Sequence, residues 1–175
     1  MLCNIYTCSF YKSNIYQKRH QILSIARKRK ITEKKRTFAS QLNCRTMAGI
    51  YIHIPFCKTR CIYCDFYSTT RSELKSRYIH ALCKELQMRK EYLRGEPVET
   101  VYFGGGTPSI LEPRVLTGIL QAVRDHFAID PAAEITVECN PSKDLTRDME
   151  QYAAAGINRV SIGMQSAVDR ERFAL

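Results

Sequence analysis

No stretch of this chain is both long and apolar enough to cross a bilayer, although 45% of its 175 residues are hydrophobic. That composition is expected of a globular chain with one real core, without an integral membrane segment. Residues 1–46 lack glycine and proline altogether and carry a single acid, Glu33, against 11 Lys and Arg. Residues 47–175 hold 16 charges of each sign, so the whole formal excess of +10 lies in the first 46 residues. A neutral domain has no electrostatic footprint for a polyanion, and nucleic acid is not among its expected partners. The leader does not read as a secretory signal, and an extracellular setting is not expected. The chain's eight cysteines therefore read as reduced thiols, metal ligands or small buried hydrophobes rather than as a disulfide framework. Cys3, Cys8, Cys44, Cys83 and Cys139 show no ligand spacing and fit the buried, inert class.

The leader contains the run RKRKITEKKR (Arg27 to Arg36) with little amphipathic order. It is expected to be an unstructured basic extension, with three readings open. It is an organellar targeting segment, an upstream extension ahead of a true start at Met47 (which stands just before the first strand), or a nucleic-acid arm. The expected domain therefore runs over 47–175.

From Ile50 the pattern changes. Ile50, Ile52 and Ile54 alternate with Tyr51 and His53, the period of a strand, and Pro55 stops it. A loop follows, and then Leu74, Tyr78, Leu82, Leu86 and Leu93 recur at helical spacing over 72–94, with Gly95 at the terminus. A second unit has a strand from Val98 to Phe103, the loop Gly104 to Pro108, and a helix entered through Pro113. A third has a strand from Glu134 to Asn140 and a helix from about Leu145 to Ala155, closed by Gly156. A fourth strand begins at Ile157 and runs towards Gln165. Strands alternating with helices imply an α/β fold with a parallel sheet. Four units do not close an eight-unit barrel, which leaves an open doubly wound sheet or the first part of a curved partial barrel. The stop at Leu175, inside an expected helix, favours a truncated barrel.

In either architecture chemistry collects at the carboxyl ends of the strands. Those ends carry Cys57, Cys61 and Cys64, then Gly104 to Thr107, then Glu138 and Asn140, then Gln165. Three thiolates at C-x3-C-x2-C can ligate three irons of a [4Fe-4S] cubane and leave the fourth open to an exogenous chelate. Zinc held by the same cysteines and His53 is the competing metal reading, and unrelated cysteines are the third. The glycine loop lacks both the G-x-G-x-x-G order of a dinucleotide fold and the lysine of a P-loop. Gly105 and Gly106 would instead let backbone approach a small ligand, with Thr107 adding a hydroxyl, unless the loop is simply a tight turn. Glu138 would accept from ligand hydroxyls or an ammonium, or else form an internal salt bridge. Gln165 would hydrogen-bond a ligand or a neighbouring strand end.

Cys57, Cys61, Tyr63 and Cys64 match C-x3-C-x-aromatic-C, and with them the chain resembles the radical S-adenosylmethionine superfamily. YIHIPFC, VYFGGGTPS, VECNP and GINRVSIGMQS look like the branch that contains oxygen-independent coproporphyrinogen III oxidase and the haem chaperones. The resemblance covers Met47 to the end. It implies the N-terminal four βα units of a partial parallel (β/α)6 barrel. It also implies a [4Fe-4S] cluster on Cys57, Cys61 and Cys64, with S-adenosylmethionine chelating its fourth iron. Tyr51 and Tyr63 would contact that cofactor near the cluster. Gly105, Gly106 and Thr107 would support its methionine moiety, and Glu138 and Gln165 would meet polar atoms of the nucleoside or a second ligand. The oxidase pattern has a further cysteine two places on, where this chain has Phe66, which favours the chaperone. That reading implies haem as cargo, a haem-acceptor protein, an electron donor of the flavodoxin or ferredoxin class and a cytoplasmic setting. A mitochondrial setting follows if residues 1–46 are a transit peptide.

Overall fold

The computed structural model describes residues 23–29, 46–142, 144–166 and 168. It contains a five-stranded sheet in simple sequence order. The strands are β1 (Leu23–Arg29), β2 (Thr46–Ile54), β3 (Val98–Gly105), β4 (Ile129–Cys139) and β5 (Arg159–Ile162). Helix α1 (Lys75–Met88) joins β2 to β3, α2 (Pro113–His126) joins β3 to β4, and α3 (Leu145–Ala154) joins β4 to β5. β2 to β5 are mutually parallel, and β1 is antiparallel to β2.

That order decides between the two expected architectures. A doubly wound sheet reverses its strand order at a switch point and carries helices on both faces. Here β2, β3, β4 and β5 advance in one direction with a helix in each crossover, the winding of a barrel. Consecutive helices pack on one another, α1 on α2 and α2 on α3. The core lies between them and one face of the sheet. Ile50, Ile52, Ile54, Val101, Phe103, Ile135 and Val137 bury that face against Leu82, Leu86, Leu116, Ile119, Leu120 and Val123. The opposite face carries Tyr51, His53, Tyr102, Thr136 and Glu138, as period-2 alternation requires.

Several boundaries differ from the sequence pattern for local reasons. Leu23–Arg29 lies in the extension expected to be unstructured, yet it pairs along β2 from Leu23 opposite Ile52 to Arg29 opposite Thr46. An edge strand presents unpaired amides and carbonyls that a neighbouring segment can satisfy, which periodicity in a basic leader does not reveal. The rest of residues 1–45 lies outside the described residues. Met47 falls inside β2 rather than before it. Helix α1 ends at Met88, not near Leu93. Successive turns follow, closed by Tyr92 N–H to Arg89 O and Glu96 N–H to Leu93 O. Arg94 and Gly95 both take positive φ, at 51° and 80°, and the turns carry Leu93 into the core.

β4 begins at Ile129, earlier than expected. Its register against β3 jumps between Val98 opposite Ile129 and Thr100 opposite Glu134, and Pro131 sits in that irregular stretch where no ladder bond is lost. β5 begins at Arg159, and Asn158 just before it meets β4 through both its N–H, which donates to Ile135 O at 3.1 Å, and its side chain. Its Oδ1 accepts from Ile135 N–H and its Nδ2 donates to Ala133 O, both at 2.8 Å. No helix among the described residues is long and apolar enough to cross a membrane.

Candidate cofactor site at the strand ends

The cysteine loop is a closed excursion from the end of β2. Pro55 O accepts from Thr69 N–H at 2.7 Å, Thr69 O accepts from Cys57 N–H at 3.0 Å, and Phe56 bridges to Thr69. Inside it, Cys64 N–H donates to Cys61 O at 3.2 Å, a turn that brings the second and third cysteines together. Cys57, Cys61 and Cys64 are free thiols, each half-buried, while Ile62 and Tyr67 stand 87% and 72% exposed between and after them. Tyr63 is next to both later cysteines. A hydrogen bond to Cys61 is the main reason its phenol titrates above the usual range.

The glycine loop lies against this excursion. Gly106 N–H donates to Ile54 O at 2.8 Å and Thr107 N–H to Phe56 O at 2.9 Å. A Cβ on Gly106 would stand 2.8 Å from Cys57 Sγ and 2.8 Å from Phe56 O. A Cβ on Gly105, whose φ is +122°, would stand 2.7 Å from the His53 ring. On Gly104 it would meet Tyr102 at 2.8 Å, Tyr51 at 3.0 Å and Glu138 Oε2 at 3.2 Å. The glycines were expected to let backbone approach a small ligand closely; the structure shows in addition that their missing side chains let β2, the cysteine loop and β4 converge.

His53 ties the strand to the loop. It is buried, and its Nε2 lies 2.9 Å from Tyr67 O. A carbonyl only accepts, so Nε2 carries the hydrogen. The neutral ring then presents Nδ1 as an acceptor to the Tyr51 hydroxyl at 3.1 Å. Burial keeps the ring neutral by pushing its pKa below the ordinary value. With both nitrogens engaged inside the protein, His53 is unsuited to complete a Cys3His zinc site. The Tyr78 hydroxyl donates to the His53 carbonyl, fixing the same point from α1.

The remaining strand ends meet the cysteines through hydroxyls and amides. Asn140 Nδ2 donates to Thr107 Oγ1 at 3.3 Å, and Thr107 Oγ1 donates to Cys57 Sγ at 3.7 Å. Asn140 N–H also donates to Ser109 Oγ at 3.2 Å. Glu138 accepts from Tyr102 Oη at 2.6 Å and from Gly105 N–H at 3.1 Å. No ion pair to it is found among the described residues, so the internal salt bridge open to it from sequence is not what holds it. Gln165 is exposed beyond β5, with its Nε2 beside Gly163.

The structure thus brings Tyr51, His53, Gly105, Gly106, Thr107, Glu138 and Cys57 into one connected cluster, with Cys61, Tyr63 and Cys64 on the adjoining loop. The cysteines are not drawn into a ligating knot: among the described residues no three His, Cys, Asp or Glu side chains converge as a metal site. Three soft sulfur donors on a loop braced by Gly106, with no fourth protein ligand converging on them among the described residues, fit an iron–sulfur centre better than tetrahedral zinc. Tyr102 and the hydrogen-bonding role of His53 were not legible from sequence. Only their inward register on β2 and β3, beside Glu138 and the cysteine loop, would have found them.

A family model described as Radical SAM superfamily matches residues 51–174. The haem chaperone HemW of Mycobacterium tuberculosis is 44% identical over 126 residues, covering 70% of this chain and 32% of the relative. Oxygen-independent coproporphyrinogen III oxidase of Bradyrhizobium diazoefficiens is 38% identical over 131 residues, covering 73% of this chain and 29% of the relative. The solved structure of coproporphyrinogen III oxidase from Escherichia coli, titled a radical SAM enzyme, aligns with a TM-score of 0.64 at 30% identity. That alignment covers 70% of this chain and 29% of the other. The chain spans about a third of the length of the curated relatives it matches.

Proposed function

This chain belongs to the radical SAM superfamily, and we propose that it is the cofactor-binding portion of a haem chaperone that binds a [4Fe-4S] cluster, S-adenosylmethionine and haem. Cys57, Cys61 and Cys64 hold the cluster. Tyr51, Tyr63, Gly105, Gly106, Thr107, Glu138 and Gln165 surround the S-adenosylmethionine bound beside it. When bound, the pair supplies one-electron reductive chemistry that the protein's own groups lack. The chain's residues orient and shield. His53 and Tyr51 fix the base of the cysteine loop, Asn140 and Thr107 brace Cys57, and Glu138 offers a carboxylate whose rotamer is already set.

The observation that carries the chaperone reading over the oxidase is Phe66. It stands 45% exposed where the oxidase pattern has a further cysteine. The reading implies a haem-acceptor protein, a one-electron donor of the flavodoxin or ferredoxin class and a cytoplasmic setting, or a mitochondrial one if residues 1–46 are a transit segment.

Anaerobic reconstitution with iron and sulfide tests it. The expected result is about four irons per chain, a spectrum that shifts on adding S-adenosylmethionine, and a Soret band on adding haem. Tightly held zinc without sulfide rejects the cluster. Vinyl-group formation from coproporphyrinogen III at enzymatic turnover rejects the chaperone in favour of the oxidase.

A further inference from the structure

Tyr102 lies on β3 with its phenol 2.6 Å from Glu138 Oε1, within the short range of charge-assisted O–H···O bonds. Register explains the pairing. Tyr102 stands opposite Thr136 on β4, so Glu138, two residues on, is its diagonal neighbour on the same face. The Gly105 amide takes the other oxygen, Oε2, at 3.1 Å. A carboxylate held from both sides by donors on one neighbouring strand has little rotamer freedom, and it retains lone pairs for a ligand at the strand end. The Tyr102 ring also stacks on Tyr51, with centroids 5.9 Å apart and planes 19° apart, and Tyr51 is the residue that bonds His53. The whole assembly requires glycine at 104, because a Cβ there would press on Tyr102, Tyr51 and Glu138 together.

We propose that Tyr102 is a positioning residue: its hydroxyl sets the Glu138 carboxylate towards the strand-end ligand, and its ring supports Tyr51 above the cysteine loop. The ligand half of this statement rests on the S-adenosylmethionine reading above, while the Tyr102–Glu138 half does not. A pair that only stabilised the sheet would cost stability when broken and leave ligand affinity alone.

The test uses the full chain and three variants, Tyr102→Phe, Glu138→Gln and the double. Tyr102→Phe keeps the ring, its stacking and its volume, and removes only the donor. Infrared spectra of chain carrying 13C-labelled glutamate need no cofactor. Tyr102→Phe shifts one carboxylate band, and the same substitution made on Glu138→Gln shifts none. In reconstituted protein, Tyr102→Phe leaves iron and sulfide content unchanged and weakens S-adenosylmethionine binding about tenfold, the scale of a bond to a charged group. The double variant binds no more weakly than Glu138→Gln alone. Unchanged affinity in Tyr102→Phe, or a loss that persists on Glu138→Gln, overturns the positioning role. Should the wild-type chain bind no S-adenosylmethionine, the cofactor reading falls, and the infrared pair still decides whether Tyr102 holds Glu138: no band shift overturns it.

Discussion

The two faces of the parallel sheet are written by the same residues taken alternately, and they are held by different physics. On the helix-covered face, Ile50, Ile52, Ile54, Val101, Phe103, Ile135 and Val137 are none more than 4% exposed, and what binds them is removal of apolar area from water. On the other face, Tyr51, His53, Tyr102 and Glu138 are joined through directional contacts, two hydrogen bonds whose donor and acceptor must align and one stacked ring pair. The first face tolerates hydrophobic changes that preserve volume. The second tolerates almost none that moves an oxygen or nitrogen, which is why a single strand such as YIHI serves both stability and chemistry. Substitutions on one face should therefore change how firmly the chain folds, and on the other what the strand ends can hold.

Phe103→Ala should break the comparison most strongly. The ring is fully buried between sheet and helices, and truncation leaves a cavity worth about 3–5 kcal/mol. A large fall in the urea midpoint is expected. A midpoint within error of wild type would mean that the helix-covered face is not the stabilising one.

Next in size is a reactivity contrast between cysteines of the two faces. Cys139 lies on the apolar side at the end of β4, 3% exposed, and burial pushes its thiol up from 9.0 to about 11. Two units leave about a hundredfold less thiolate than an ordinary thiol has at the same pH. Alkylation of the native apo chain, mapped over the described cysteines, should mark Cys57, Cys61 and Cys64 first and Cys139 last. Early labelling of Cys139 would show that the core opens at β4.

Gly106→Ala then probes the contact zone between the faces. The added methyl would meet Cys57 Sγ and the backbone at Phe56 and Pro55. Backbone atoms cannot swing aside, so overpacking of about 1–3 kcal/mol is expected locally. The measurable outcome is lower iron and sulfide retention after reconstitution with a much smaller midpoint change than Phe103→Ala gives. Equal loss of both would deny that Gly106 serves the loop in particular.

The helix-covered face was legible in the sequence because burial repeats. The isoleucine alternation of β2 and the 3.6-residue stripe of α2 follow from patterns that hold over many residues. The cysteine loop was legible for a different reason, a spacing that few other chemistries use. What sequence left hidden depended on single spatial meetings. β1 pairs in a leader whose composition speaks only of charge, and Leu93 reaches the core through turns instead of a longer helix. Tyr102 meets Glu138 only through a diagonal register across two strands 36 residues apart. The glycines illustrate the limit best: an absent side chain signals that something comes close, and only coordinates say whether it is a ligand or the protein itself.

The smallest effect expected is a pH dependence centred on His53. Its pKa is lower in the fold than the ordinary 6.5 because burial disfavours the charged ring, partly offset by the Tyr67 carbonyl. The unfolded chain therefore takes up a proton near pH 6.5 that the folded chain refuses. The corresponding stability is complete above that value and is lost as pH falls below it, at no more than about 1.4 kcal/mol per unit. Glu85 acts with the opposite sign: burial raises its carboxyl above 4.5, so its contribution weakens as pH rises past that range. Comparing wild type with His53→Gln at pH 7.5 and 5.5 removes this background. Wild type should lose more stability on acidification than the variant. Protonation adds a hydrogen at Nδ1, where the Tyr51 hydroxyl donates, and leaves the Nε2–H bond to Tyr67 O in place, so acid should loosen Tyr51 and leave that anchor of the cysteine loop intact. Identical slopes in the two proteins would mean that the ring takes up its proton as readily in the fold as in the unfolded chain, and that burial does not hold it neutral.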